Sequence, residues 1–282
     1  FLSCRATRLS CFSPSEDPIP MSFSLQSEWQ RARKALTKVD LQTAVVLLFA
    51  ALSVILQMKW GDRGFFRTEI APLLETEGRG LNAWVWWFGM QGVLGFILPV
   101  LILKIGFKNS WKEMGLSSGD ASLGWKIALI YLPLVVVGTW FLSDSPAFQS
   151  KYPHYSPAAT NWSIFLIYES FFLFYWLGWE YLWRGFVLFG TARTFGLMAI
   201  FVQTVPFAIL HYDKPMPEAL LSIVGGVALG ALVWRLRSFW IAVPIHAAQM
   251  IILDFWCTLR VRTGSSGYGL STLIDVLKGI SG

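Results

Sequence analysis

Ionisable side chains inside long apolar runs are costly to keep, so each one is a candidate for chemistry. The run Gly178-Trp179-Glu180-Tyr181-Leu182-Trp183-Arg184-Gly185 places a carboxylate and a guanidinium four residues apart. On a helix these share a face and can pair. Alone, that reads as a structural ion pair near a membrane surface. Glu169 lies eleven residues before Glu180. Eleven steps of about 100° leave an offset of about 20°, so both carboxylates face the same way, roughly 16 Å apart along the axis. They are too distant to share a proton, but they can line one aqueous cavity. The plainer role for Glu169 is a hydrogen bond to a neighbouring helix. His211 ends the next apolar run, four residues after Phe207, whose ring can pack on the imidazole. His246 lies inside the last run, in Val243-Pro244-Ile245-His246-Ala247. His154 falls in a polar stretch and reads as solvated.

One carboxylate and two imidazoles from three different helices support two chemistries. They can hold a divalent metal such as zinc through Glu180, His211 and His246, with an open position for water. Alternatively, the glutamate can act as general base on water while the histidines stabilise an oxyanion. Both activate water where water is scarce. Spacing does not choose between them, although no HExxH helix is present.

These residues need elements to position them, and composition says which kind. The chain has 282 residues, 55% hydrophobic and only 14% charged. Mean hydropathy is +0.52. Soluble domains carry about 25% charged residues, so too few are present to cover a soluble surface. Fifteen Trp and 22 Phe suit aromatic belts at two membrane interfaces. Apolar runs of the ~20 residues needed to span hydrocarbon occur at about 41–58, 83–105, 125–142, 162–190, 195–210, 218–233 and 239–259. The expected fold is all-α, a polytopic transmembrane bundle of about seven to eight helices. Residues 1–38 form a polar extension and a basic interfacial segment, with Arg31, Arg33, Lys34 and Lys38 in its second half. Residues 39–262 form the transmembrane domain, with a motif core at about 162–257, and 263–282 form a tail.

The net charge of +6 does not mark a nucleic-acid binder, because the basic residues lie mostly in short segments between apolar runs. The second connection (Lys104, Lys108, Lys112, Lys126) and Arg193, Arg235 and Arg237 place the N-terminus in the cytoplasm. The first loop, with Lys59, Arg63, Arg67 and Arg79, and the late Arg260 and Arg262 fit that pattern poorly. Cys4, Cys11 and Cys257 have no metal-ligand spacing, and Cys257 reads as a small buried hydrophobe. The first 20 residues contain no signal-peptide apolar region, and Met21 reads as a start after an upstream extension. The expected partners are membrane lipids and a membrane-associated peptide or protein.

The three motifs, in order and with their aromatic flanks, resemble the CPBP family of intramembrane proteases, named for CAAX-prenyl endopeptidases and bacteriocin-processing enzymes. That family has Glu-Glu-x-x-x-Arg, then Phe-x-x-x-His, then a late His followed four residues on by Asn or Asp. Here the first reads Trp179-Glu180-Tyr181-Leu182-Trp183-Arg184, the second runs from Phe207 to His211, and the third is His246. The first Glu of the pair is replaced by Trp179, and the Asn position is Met250, with Gln249 beside it and Asp254 four residues further on. The resemblance implies an intramembrane endopeptidase. Glu180 would activate water, Arg184 would orient it, and His211 and His246 would hold the oxyanion. Glu169, Tyr181, Phe207, Gln249 and Asp254 would line the substrate site or support it. The two departures fit the alternative implied by the same resemblance, a non-catalytic scaffold or chaperone for membrane proteins. A small-solute transporter ranks behind both, because no paired broken helices or matching halves are present.

Overall fold

A computed structural model describes residues 24–78 and 80–281. Cys4, Cys11, Met21, Arg79 and the extension at 1–20 lie outside the described residues. The chain divides into two units, 1–39 and 40–282. The first contains α1 (Leu25–Leu36), an amphipathic helix with no buried residue and an Arg31–Glu28 pair at 2.8 Å.

The second unit is helical. α2 (Leu41–Lys59) starts where the Asp40 carboxylate accepts from the Thr43 N–H at 2.8 Å, an N-cap that satisfies one orphan donor. α3 (Leu81–Gly106) has π-helical turns at Val93–Ile97 and Ile102–Gly106. α4 (Ala121–Leu142) is capped by Asp120, and α5 (Trp162–Glu180) by Asn161, whose Oδ1 accepts from Ile164 N–H at 3.1 Å. α5 continues through a π-helical stretch, Tyr181–Val187, and a last turn, Leu188–Gly190. α6 (Ala199–Ile209), α7 (Met216–Leu236) and α8 (Ala242–Thr263) follow, then the short α9 (Leu270–Leu277). α7 and α8 end on the left-handed residues Arg237 and Gly264, a common way to satisfy the last carbonyls.

Among the described residues six segments are long and apolar enough to cross a membrane: α2, α3, α4, Ala192–Ile209 (which contains α6), α7 and α8. The expected count of seven to eight is reached only by adding α5. Its Glu169, Glu180, Trp and Tyr side chains lower its hydropathy, and its polar face is buried inside the protein. Lipid-facing positions are Leu, Ile and Val, as at Leu48, Leu52, Ile55, Leu129, Ile130, Leu134, Leu221 and Val224. The interior is aromatic, with Trp84, Phe88, Tyr168, Phe172, Trp176, Trp183 and Phe186 in one cluster.

The helices alternate between two ends of the bundle. Segments 60–78, 143–161, 210–215 and 264–281 lie at one end, joined by Lys151 Nζ to Asp213 Oδ2 (2.9 Å) and Arg262 Nε to the Ala159 carbonyl (2.8 Å). Asp40 lies at the other end, where Arg193 Nε donates to its Oδ2 at 2.9 Å. Arg260 is buried and donates to Ser143 Oγ, Asp144 Oδ1 and the Gly267 carbonyl at 2.8–3.0 Å. Arg260 and Arg262 therefore clamp loops and the C-terminal segment, which explains why they fit the charge pattern poorly.

Two close approaches fix α5 against α3. A Cβ on Gly178 would collide with the Gln91 carbonyl, and one on Gly95 with the Gly178 carbonyl. Only glycine lets the two backbones meet here. On the opposite side, α2 is tied to α3 by Ser53 Oγ to the Leu94 carbonyl (3.1 Å) and Gln57 Nε2 to the Trp87 carbonyl (3.0 Å).

Candidate active site

Glu180 sits at the last α-helical position of α5 and is fully buried. Its Oε1 accepts from Arg184 Nη1 at 3.0 Å and from His246 Nδ1 at 2.6 Å, and its Oε2 has no partner. The expected Glu180–Arg184 pair is therefore formed, one turn apart, with Arg184 also fully buried. The Arg184 guanidinium lies 3.9 Å from the centre of the Phe207 ring, so the second motif supplies a π face to the cation of the first.

A cavity of about 680 Å³ opens beside these groups. Trp176, Trp179, Leu182, His211, His246 and Met250 line its inner part. Arg63, Lys151, His154, Asp213, Lys214 and Glu218 line its outer part. Arg63, Lys151, His154, Asp213 and Lys214 belong to the connecting segments opposite Asp40, and Glu218 to the first turn of α7. Glu180 is not among the lining residues and lies behind His246.

The tautomers follow from the partners. A carboxylate only accepts, so His246 Nδ1–H donates to Glu180 and its Nε2 carries a lone pair. His211 Nδ1 lies 2.7 Å from the Phe207 carbonyl, so that nitrogen also donates and Nε2 is again an acceptor. The two imidazoles flank one ring: Phe207 is 4.6 Å from His211 and 6.2 Å from His246, between ring centres. His246 also packs at 4.3 Å on Trp176, and His211 at 6.0 Å on Trp179. His211 lies just past the end of α6, where burial is the main cause that lowers its pKa to about 4, against the bond to the Phe207 carbonyl. It is neutral at pH 7.

The metal arrangement suggested by residue type is not assembled. Among the described residues no group of three His, Cys, Asp or Glu side chains could hold a metal ion. The physical reason is placement: Glu180 is enclosed behind His246, off the cavity wall, and the two imidazoles flank the Phe207 ring.

The remaining candidates separate. Phe207 is at the centre of the site. Trp179, at the position of the missing Glu, takes a place on the cavity wall. Glu169 and Asp254 interact with each other across α5 and α8, both buried, away from the cavity lining. Tyr181 is fully buried against Phe96 and Phe239, at 5.0 and 4.9 Å between ring centres. Gln249 Nε2 donates to Tyr131 Oη at 2.9 Å, away from the site. Cys257 is a buried free thiol, as expected. His154 is not solvated: its Nδ1 lies 2.8 Å from the Lys151 carbonyl and its Nε2 3.0 Å from Lys214 Nζ, and it stacks on Tyr152. Its polar local sequence did not signal the burial, because Lys214 comes from a distant loop, while Lys151 and Tyr152 are near neighbours in the chain.

Residues 159–252 match the family model described as "Type II CAAX prenyl endopeptidase Rce1-like". No curated protein matches the chain, and no solved structure does. The matched segment begins just before α5 and ends within α8, so it holds Glu180, Arg184, Phe207, His211 and His246 together. That segment, with the three motifs it contains, is similar to the CAAX-protease (CPBP) family.

Proposed function

We propose that the cavity is the active site of an intramembrane endopeptidase that cleaves a membrane-associated peptide or a lipid-modified C-terminus. The observation that carries this reading is the 2.6 Å bond from His246 Nδ1 to a buried Glu180, with the imidazole on the cavity wall. A carboxylate that fixes the tautomer of a histidine leaves its other nitrogen free to take a proton. In this reading His246 Nε2 removes the proton from water as the hydroxide attacks the peptide carbonyl. The resulting imidazolium, stabilised by Glu180, then gives that proton to the leaving amine. His211 Nε2 accepts the water's second hydrogen and aims its lone pair. Glu180 is thus a positioning residue held by Arg184, rather than the base that residue type alone suggested. The oxyanion is assigned to the indole N–H groups of Trp176 and Trp179, two cavity-wall residues whose N–H groups have no hydrogen-bond partner among the described residues.

Trp179 and Met250 at two motif positions favour a second reading, a non-catalytic membrane scaffold with the same fold. A peptide-release assay on the purified chain in lipid separates the two. The endopeptidase reading expects turnover that His246→Ala and His211→Ala each abolish in folded protein. Full activity in either variant, or no turnover of prenylated and unprenylated peptides alike, removes it.

A further inference from the structure

The bundle end that carries Asp40, away from the cavity described above, holds a second hollow of about 450 Å³. Its walls include Gln42 from the start of α2, Lys112 and Glu113 from the connection after α3, Arg193 after α5, and Arg237 after α7. The connection is fastened to the turn after α7. Asp120 N–H donates to the Leu236 carbonyl at 3.1 Å and Ser117 Oγ to the Arg237 carbonyl at 3.3 Å. Phe239 N–H donates to the Gly115 carbonyl and Trp240 Nε1 to the Leu116 carbonyl, both at 2.9 Å. These bonds hold Lys112 and Arg237 at one rim. The acids nearby are engaged: Asp40 by Thr43 and Arg193, and Asp120 as the cap of α4. Glu113 Oε2 accepts from the Ser110 hydroxyl and N–H, both at 2.7 Å, bonds that hold its carboxyl below the usual range. Lys108, Lys112 and Arg237 have no hydrogen bond or ion pair among the described residues, although the Arg237 guanidinium lies 5.0 Å from the Trp234 ring centre. Lys108 and Arg237 also both sit at φ 56°, in the left-handed region that favours glycine. Among the described residues Glu75 is the one other non-glycine residue there. Long cations held where glycine fits more easily point to a use for their side chains.

The depth is that of lipid headgroups. Trp111 and Trp240 are exposed at this rim, Lys104 Nζ lies 4.9 Å from the Trp111 ring centre, and Ile105, Leu197 and Met198 are exposed beside them. Indoles and basic groups above exposed aliphatic side chains mark a membrane interface. Unspent ammonium and guanidinium N–H groups suit a phosphate, and basic hollows between helices take anionic headgroups. The same wall also carries acceptors. Glu113 Oε1 has no donor, and neither has the Gln42 amide oxygen, whose Nε2 is spent on the Gly190 carbonyl at 2.9 Å. A bare phosphate would meet repulsion from Glu113, whereas a phosphate bearing hydroxyl groups can donate to it. We infer that this hollow binds an anionic phospholipid whose phosphodiester carries a hydroxylated headgroup, with Arg237 and Lys112 on the phosphate and Glu113 and Gln42 accepting from the hydroxyls. The inference does not depend on the endopeptidase reading.

The test uses the full chain in dodecyl maltoside, with native mass spectrometry reading the binding of single lipids. Phosphatidylglycerol is expected to bind at least tenfold tighter than phosphatidylcholine. It is also expected to bind at least threefold tighter than phosphatidylmethanol, which has the same charge and no headgroup hydroxyl. Arg237→Gly removes the cation and places at the left-handed turn the residue best suited to it, so the variant is expected to melt no lower than the unmodified protein. Combined with Lys112→Gln, it brings phosphatidylglycerol to within about twofold of phosphatidylcholine. Glu113→Ala erases the preference for phosphatidylglycerol over phosphatidylmethanol and leaves both above phosphatidylcholine. Equal binding of phosphatidylglycerol and phosphatidylcholine by the unmodified protein overturns the inference, as does a preference that survives Arg237→Gly with Lys112→Gln. Equal binding of phosphatidylglycerol and phosphatidylmethanol reduces the site to charge attraction and overturns it too. So does displacement of the lipid by an equal concentration of soluble glycerophosphoglycerol, which assigns the hollow to a free phosphodiester. Peptide hydrolysis enters none of these readouts, so this inference and the endopeptidase reading can fail separately.

Discussion

If Glu180 works through His246, removing both must cost no more than removing His246 alone. The structure supplies the reasoning: Glu180 is fully buried, lies off the cavity wall, and touches the chemistry only through the 2.6 Å bond to Nδ1. Glu180→Gln keeps the shape and an acceptor oxygen but removes the charge that stabilises an imidazolium. Losing the carboxylate behind a catalytic histidine lowers kcat by up to about 10⁴-fold in the best-studied serine hydrolase triads. A loss of 10²–10⁴-fold is therefore expected for Glu180→Gln, and a loss at least as large for His246→Ala. Independent roles would multiply to at least about 10⁴-fold in the double variant, whereas a shared role leaves it within a few-fold of His246→Ala. The same change leaves the buried Arg184 short of its carboxylate, which costs about 3–5 kcal/mol when a partner is lost outright and less when an amide oxygen remains. Thermal melting in detergent, alongside peptide release, shows whether the variants are folded at the assay temperature. A multiplicative double variant would falsify the positioning role and return Glu180 to direct attack on water.

Further expectations follow from individual contacts. Chelators are expected to leave turnover unchanged, because no three ligating side chains converge among the described residues; a loss reversed by added zinc would contradict the site described above. Gly178→Ala forces apart the α3 and α5 backbones and is expected to destabilise by about 1–3 kcal/mol or more, read as a lowered melting temperature. His211 has a folded pKa lowered to about 4 from 6.5, so between those values the unfolded chain binds the proton and the folded chain does not. Its contribution to stability is therefore unchanged above pH 6.5 and falls as the pH drops toward 4. His211→Gln is expected to show a smaller loss of melting temperature between pH 7 and 4.5. At Asp40, burial raises the pKa, but the bonds from Thr43 and Arg193 outweigh it and lower the carboxyl to about 2. Its stabilisation is present above about pH 3.8 and lost as pH falls through 2. Asp40→Ala is expected to cost about 1 kcal/mol at neutral pH.

Much of the architecture could be read from hydropathy, because a segment in lipid must close its own backbone hydrogen bonds and be apolar over a fixed length. The run expected at about 41–58 is the helix Leu41–Lys59, and the Glu180–Arg184 pair formed as its spacing implied. The convergence of His211 and His246 was legible only through the motif resemblance, since their spacing in the chain is arbitrary. What could not be read is the direction in which Glu180 points. Glu180 ends the regular part of α5, and what turns its carboxylate is His246 from α8, a partner at no fixed spacing in the chain. Gln249 and Asp254 misled for a different reason. Polar residues near His246 in sequence were assigned to its site, whereas α8 turns them toward Tyr131 and Glu169.

The glycine seam between α3 and α5 has a consequence for how a substrate arrives. Two backbones in contact have no side chains to rearrange, so that wall cannot yield. The facing wall is α2, fastened at the cavity by Ser53 and Gln57 reaching two main-chain carbonyls. A chain sliding in sideways from the bilayer between α2 and α3 would have to displace those two side-chain bonds, while the α3–α5 seam stays fixed.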